Sequence, residues 1–271
     1  MSAINFRNKQ IFYRVEGCGK PVILLHGFGE DGNIWNNQIE ALKQDHQLII
    51  PDLPGSGQSE ILEGDCEIED YTEVVKALAD KEISGNSYKD FTLIGHSMGG
   101  YISLAFAKKY PGLLNALGLF HSSAFADNEE KIKARKKNIE FIEKNGAKPF
   151  LKSTIPNLFS KNTKDSHPEM VQELIRLSEN LSPEALIQYT KAMIRREDTT
   201  SVLKSFPKPI LFIVGIHDEA VPLEASLNQC YLPKIAQVNF LQKSGHLGMW
   251  EQQELATKFL KGFLTFADSF G

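Results

Sequence analysis

The sequence predicts an α/β protein with a mostly parallel, doubly wound sheet of about eight strands, helices on both faces of the sheet, and an inserted helical lid. Short apolar runs alternate with stretches whose apolar residues recur at helical spacing, which is typical of strands and helices that follow one another. Most of these runs are apolar throughout, as expected for strands that a parallel sheet buries on both faces. Residues 125–206 break the alternation, because that stretch contains helical patterns alone.

The strand predictions follow the apolar runs in order. The run "IFYRVEG" alternates apolar and polar residues and predicts an exposed antiparallel strand. The next five runs, "PVILLHG", "HQLIIPD", "FTLIGHS", "LNALGLFHS" and "PILFIVG", predict buried parallel strands. A further alternating strand, "QVNFLQ", precedes the last helix.

Helical spacing predicts five helices between or after these strands, at Ile34–Lys43, Ile68–Ala79, Met98–Tyr110, Leu223–Cys230 and Trp250–Phe266. Four more follow one another at Glu129–Asn145, Lys148–Phe159, Pro168–Glu179 and Pro183–Arg196. This second group is too long for a simple crossover. Because it leaves the sheet at the carboxyl ends of the strands, where parallel sheets bind ligands, we expect a lid. We therefore divide the chain into a core domain, residues 1–124 and 207–271, and a lid, residues 125–206.

Composition excludes several functions. The formal charge is −4 and the pI is about 6.0, so there is no basic face for nucleic acid. The three cysteines are far apart in the chain, which predicts neither a disulfide framework nor a metal site and favours the cytoplasm. No apolar segment is long enough to cross a bilayer. We expect a small-molecule substrate as the partner, and the oligomeric state stays open.

One segment predicts a catalytic serine, and it is Gly95-His96-Ser97-Met98-Gly99. It matches the nucleophile elbow, a sharp strand-to-helix turn that lifts a serine hydroxyl above the sheet. The pattern lies at the end of an apolar strand and the start of a helix, which is the context that it requires. Ser97 is therefore the predicted nucleophile.

A serine hydroxyl needs a general base that a third group holds in place. His246 lies in the glycine-bracketed loop "KSGHLGMWEQ", and we predict that it is the base. Asp218 directly follows a buried strand and is the predicted orienting acid, because the order serine, acid, histidine is typical of this architecture. Asp52 and Glu219 are the alternative acids, and Asp52 is expected to form a turn instead.

With these residues the chain resembles the α/β-hydrolase superfamily in its lidded form. The resemblance extends over nearly the whole chain, through "HGFG", "PDLPGSGQS", "GHSMGG", the Asp218 turn and "GHLGMWEQ". It implies an oxyanion hole made by the backbone amides of Met98 and Phe28. It also implies acyl transfer through Ser97 with no metal or organic cofactor. The equivalent acid position after the preceding strand holds serines, with Asp127 several residues beyond.

Several reactions are open to a serine at this position. By analogy of fold we expect hydrolysis of a carboxylic ester or thioester, as in a carboxylesterase (EC 3.1.1.-). The alternatives are a carbon-carbon bond hydrolase or lyase with the same triad, and a non-catalytic binding protein.

The charges of the lid receive no binding role at this stage. The basic residues that follow Glu129 and Glu130 predict a solvated helix face. Arg195 and Arg196 could bind a substrate carboxylate, but a solvated helix end is the simpler interpretation. Aromatic residues of the lid, such as Phe150, are expected to be core residues more often than pocket residues.

Overall fold

The computed structural model describes residues 1–84 and 88–270, and its centre is a sheet of eight strands. The strands are β1 Ser2–Phe6, β2 Lys9–Glu16, β3 Lys20–Leu25, β4 His46–Pro51, β5 Phe91–His96, β6 Leu114–Phe120, β7 Ile210–Gly215 and β8 Ala236–Leu241. Their order across the sheet is β1-β2-β4-β3-β5-β6-β7-β8. The first two strands pair antiparallel, and the other six run parallel to one another. The predicted fold class is confirmed.

Helices connect the strands and cover both faces of the sheet. They are α1 Asn36–Leu42, α2 Ile68–Glu82, α3 Met98–Lys109, α4 Glu129–Asn145, α5 Ala147–Thr154, α6 Lys161–Ser166, α7 Pro168–Leu177, α8 Pro183–Arg195, α9 Thr200–Ser205, α10 Leu223–Cys230, α11 Gly248–Glu251 and α12 Gln253–Ser269. Short 3₁₀ turns lie at Gly32–Trp35, Pro111–Leu113, Ile155–Leu158 and Ser178–Asn180. No helix in the described part of the chain has both the length and the apolar character that a membrane span needs.

Two apolar cores lie on the two faces of the sheet. On one face α2 and α3 pack against the strands with residues such as Val75 and Phe106. On the other face α1 and α12 do so with Ile39 and Phe263. The parallel strands β3, β5, β6 and β7 are buried along almost their whole length, which explains their continuous apolar runs.

The six helices between β6 and β7, α4 to α9, form what we call the helical insertion (residues 129–205). Its helices begin where the sequence supplies caps: Asn128 accepts a hydrogen bond from the Lys131 amide, and Ser182 accepts one from the Ala185 amide. The insertion lies over the carboxyl ends of the strands. Its Tyr189 hydroxyl donates to the Pro54 carbonyl at 2.6 Å.

Some boundaries differ from the predictions. The helix expected from Ile34 begins as a 3₁₀ turn and becomes α-helical at Asn36. The helix expected over Trp250–Phe266 is divided at Gln252 into α11 and α12. The edge strand β1 and the six-residue helices α6 and α9 had no individual prediction, because they are too short to show a clear period.

Candidate active site

Ser97 lies in the sharp turn between β5 and α3. Its backbone has φ 50° and ψ −115°, a left-handed conformation that is rare for a residue with a side chain. The turn needs glycine on both sides: a Cβ on Gly95 would lie 2.1 Å from the Gly99 carbonyl oxygen, and one on Gly99 would lie 2.6 Å from that of His26. The strained conformation therefore depends on the two glycines of the motif.

His246 and Asp218 meet at the same edge of the sheet. Asp218 follows β7 and His246 follows β8, so the two loops are neighbours. His246 Nδ1 donates to Asp218 Oδ2 at 2.8 Å, and both side chains are buried. The other carboxylate oxygen, Oδ1, accepts from the amides of Ala220 and Val221 at 2.9 and 2.8 Å. Burial alone would raise the pKa of Asp218, but the two neighbouring imidazoles hold that pKa well below its usual range.

Ser97 and His246 both line a cavity of about 290 Å³. In the described part of the chain, no hydrogen bond within 3.5 Å joins the Ser97 hydroxyl to His246. Such bonds are often long without substrate and shorten in the reacting complex. One wall of the cavity is apolar, with Phe150, Leu151 and Ile155 from the insertion.

A second histidine contacts the same carboxylate. His121 follows β6, is fully buried, and has its Nδ1 3.2 Å from Asp218 Oδ2. Burial lowers the pKa of His121 to about 4, so the ring is neutral and carries one proton. Its two ring nitrogens lie near backbone amides, Nε2 at 3.2 Å from the Gly248 amide and Nδ1 at 3.1 Å from the Gly215 amide, and Nδ1 also faces Asp218. His121 therefore packs directly beside the carboxylate, in line with the structural or pocket-lining role that its position at a strand end predicts.

A buried ion pair lies beneath the cavity. Glu30 Oε2 lies 2.9 Å from His96 Nδ1, and it also accepts from the Gly27 amide at 2.8 Å. His96 Nε2 donates to the His246 carbonyl at 2.9 Å. Burial alone would raise the pKa of Glu30 and lower that of His96, but their mutual attraction reverses both shifts and keeps both groups charged. The pair links the loop after β3 to the loop that carries His246.

The two predicted oxyanion donors belong to the start of α3 and to the loop after β3. Met98 is the first residue of α3, so its amide has no partner within the helix. Phe28 lies in the loop after β3, and its amide makes no hydrogen bond in the described part of the chain. Phe28 and Ser97 line the same cavity.

The alternative acids lie in other contacts. Asp52 accepts from the amides of Gly32 and Gln58 and thereby orders a turn. Asp127 is paired with two arginines of the insertion. Glu219 is exposed at the cavity rim. None of the three is hydrogen-bonded to His246 within the residues that the structure describes.

The expectation of a solvated basic helix face is wrong for two residues of α4. Lys131 and Arg135 line the cavity, whereas Lys133, Lys136 and Lys137 are exposed outside it. The interpretation of Arg196 as a solvated helix end is also wrong, because its side chain is 6% exposed and lies 4.0 Å above the Tyr101 ring. The missed signal is the spacing i, i+4, i+7 of Lys131, Arg135 and Asn138, which places all three on one helix face.

Comparisons with known proteins show the fold family. The family model described as "alpha/beta hydrolase fold" matches residues 20–253. An esterase from Thermogutta terrifontis, in a malate-bound structure, superposes with a TM-score of 0.91 at 28% identity over 98% of both chains. An enol-lactonase from Burkholderia xenovorans has a TM-score of 0.88 at 21% identity, over 97% of this chain and 100% of that one, and so shares the fold.

A curated relative matches part of the chain. An uncharacterised protein of Mycobacterium tuberculosis is 32% identical over 105 residues, which are 39% of this chain. The matched segment covers 30% of that relative, so less than a third of its length is matched by this chain. This relative therefore gives no indication of a substrate.

Proposed function

Because this chain belongs to the α/β-hydrolase fold family, we propose that it is a serine hydrolase that cleaves a carboxylic ester or thioester of a small to medium substrate. The observation that carries the proposal is the strained Ser97 facing the same cavity as a histidine whose Nδ1 donates to a buried aspartate. The structural likeness to an esterase at 28% identity supports the reaction class.

The proposed mechanism is acyl transfer in two halves. His246 takes the proton of the Ser97 hydroxyl as Oγ attacks the carbonyl carbon, and the carbonyl oxygen becomes an oxyanion. The Phe28 and Met98 amides donate to that oxyanion, and the N-terminus of α3 adds a favourable dipole. Asp218 keeps the His246 proton on Nδ1 and stabilises the imidazolium. His246 then protonates the leaving alcohol or thiol, which departs.

In the second half, a water molecule attacks the acyl-enzyme. His246 takes the proton of this water, and collapse of the second oxyanion releases the carboxylic acid and restores Ser97. The helical insertion would act as a lid that shields this chemistry, over the predicted boundaries 125–206.

All three cysteines are unpaired, which supports a reducing compartment such as the cytoplasm.

Replacement of Ser97 tests the proposal. We expect the wild-type protein to hydrolyse p-nitrophenyl esters and to be labelled by a fluorophosphonate probe, and Ser97→Ala to lose both properties while keeping its thermal unfolding temperature. Removing any member of such a triad typically leaves only a residual rate from binding and the oxyanion hole. A series from acetate to decanoate would measure the depth of the pocket.

The matched control is Ser123→Ala, which removes another buried hydroxyl at the end of β6, outside the cavity. It should keep both labelling and turnover. Full ester turnover by Ser97→Ala would contradict the proposal, and so would strong turnover of a diketone with negligible turnover of aryl esters.

A further inference from the structure

The cavity that contains Ser97 has a cationic part as well as an apolar one. Lys131 and Arg135 project into it from α4. Arg196, Tyr101 and Asp127 lie in the same cluster, in which Asp127 pairs with both arginines and is completely buried. Two arginines thus share one buried carboxylate, and Lys131 adds a third positive charge nearby, which leaves an excess of positive charge at this wall.

Part of the hydrogen-bonding capacity of these cations is unused. Arg135 donates only its Nε–H, to Asp127, and its two Nη groups make no hydrogen bond in the described part of the chain. Lys131 Nζ donates once, to the Ala220 carbonyl at 3.0 Å. A guanidinium has five N–H donors and an ammonium has three, so both groups have donors left for a ligand.

The positive charges of this cluster change the pKa of the neighbouring Tyr101. Burial alone would raise the pKa of Tyr101, but the charges of Arg196, Lys131 and Arg135 outweigh burial and lower that pKa below its usual value. Glu219 is the other charged group at the rim, and it is exposed, so water screens it more than it screens Asp127. The negative charge of Glu30 is balanced by the positive charge of its partner His96.

We propose that this cavity selects esters that carry a carboxylate, which Arg135 and Lys131 hold while Ser97 attacks the ester carbonyl. The inference rests on the proposed hydrolase function and adds the substrate class to it. A carboxylate accepts the planar fork of a guanidinium in two parallel bonds, and the half-buried setting strengthens the attraction. The apolar wall would receive the chain between the two ends of the substrate.

A matched pair of substrates tests the selection. One is the p-nitrophenyl monoester of adipic acid, and the other is the same ester with its free carboxylate capped as a methyl ester. We expect kcat/KM of the wild-type protein to be at least about tenfold higher for the anionic ester, since charge-assisted hydrogen bonds are typically worth that much. Added salt should reduce the ratio.

Variants of α4 then assign the selection to residues. Lys131→Met with Arg135→Met should lower kcat/KM for the anionic ester at least about tenfold and change that for the neutral ester only slightly. Arg135→Lys should restore part of the preference, because it keeps the charge and loses the fork. Lys136→Met removes an exposed charge one residue further along the same helix and should leave both rates unchanged.

The proposal is overturned if the wild-type protein shows no preference for the anionic ester, or if the double variant keeps that preference. A binding measurement separates this failure from failure of the proposed function. Calorimetric titration of Ser97→Ala with monomethyl adipate needs no turnover. The dissociation constant should rise at least about tenfold when the two α4 substitutions are added, and an unchanged constant would overturn the carboxylate site.

Discussion

Asp218 has an unusual set of neighbours for one carboxylate. It accepts from His246 Nδ1 at Oδ2, which also lies 3.2 Å from His121 Nδ1, and it accepts from two backbone amides at Oδ1. These three hydrogen bonds and the two nearby imidazoles favour the ionised form. The carboxylate is thus fixed in charge and in orientation before any substrate binds.

Substitution of this carboxylate tests its role at the scale of one residue. We expect Asp218→Asn to lower kcat for p-nitrophenyl butyrate by about 10⁴-fold, because an amide can stabilise the wrong tautomer of His246. Steady-state kinetics would measure kcat, and circular dichroism would show whether the fold is retained. Glu224→Gln, an exposed carboxyl change on α10, is the control and should have no effect. If Glu219→Gln abolishes turnover and Asp218→Asn does not, the acid has been assigned wrongly.

Helix α8 attaches the insertion to the core through buried polar contacts. Tyr189 is fully buried, and its hydroxyl donates to the Pro54 carbonyl in the loop after β4. Gln188 Nε2 donates to the Leu62 carbonyl at 2.9 Å. These bonds fix α8, while α4 has only one buried apolar residue of its own, Ile142. The two helices of the insertion therefore differ in how firmly they are held.

Removal of one such bond should cost stability without touching the chemistry. Tyr189→Phe leaves the Pro54 carbonyl buried without its donor, and we expect the free energy of unfolding to fall by about 1–3 kcal/mol. Urea denaturation followed by fluorescence would measure it. Tyr231→Phe, where the ring is 75% exposed, is the control and should change little. Equal losses in both variants would show that the contact contributes nothing specific.

The elements were predictable to different degrees. Continuous apolar runs and the glycines around Ser97 were sufficient for the parallel strands and the elbow, because burial on both faces and close backbone approach leave direct traces in the sequence. The charges of α4 were misinterpreted, because a cationic residue facing a cavity looks the same in sequence as one facing water. The contacts of His121 and Glu30 join segments far apart in the chain, which no local pattern can reveal.

At the scale of the whole molecule, buried histidines make stability depend on pH. The folded-state pKa of His121 is about 4, and an unfolded chain has the usual value near 6.5. Between these values the unfolded state binds a proton that the folded state does not bind. The free energy of unfolding therefore falls as the pH falls from about 6.5 to about 4, by up to about 1.4 kcal/mol per pH unit.

A comparison of variants isolates this contribution. The free energy of unfolding, measured in urea at several pH values between 7.5 and 4.5, should fall less steeply for His121→Gln than for the wild-type protein. The charged His96 acts in the opposite direction, since its raised pKa stabilises the fold below about pH 6.5. Because His96 is present in both proteins, its contribution cancels in the difference between the two curves. Parallel curves would contradict the assignment of a neutral, buried His121.

The ion pair of Glu30 and His96 restricts how this molecule could be engineered. Glu30 accepts from the Gly27 amide and His96 donates to the His246 carbonyl, so the pair joins the loop after β3 to the loop after β8 by hydrogen bonds. Replacing the loop after β3 with one that lacks a carboxylate at position 30 would leave the buried charge of His96, at the end of β5, without its partner, at a cost of about 3–5 kcal/mol. Grafts of the loop after β3 that are intended to broaden the substrate range should therefore keep Glu30 or change positions 30 and 96 together.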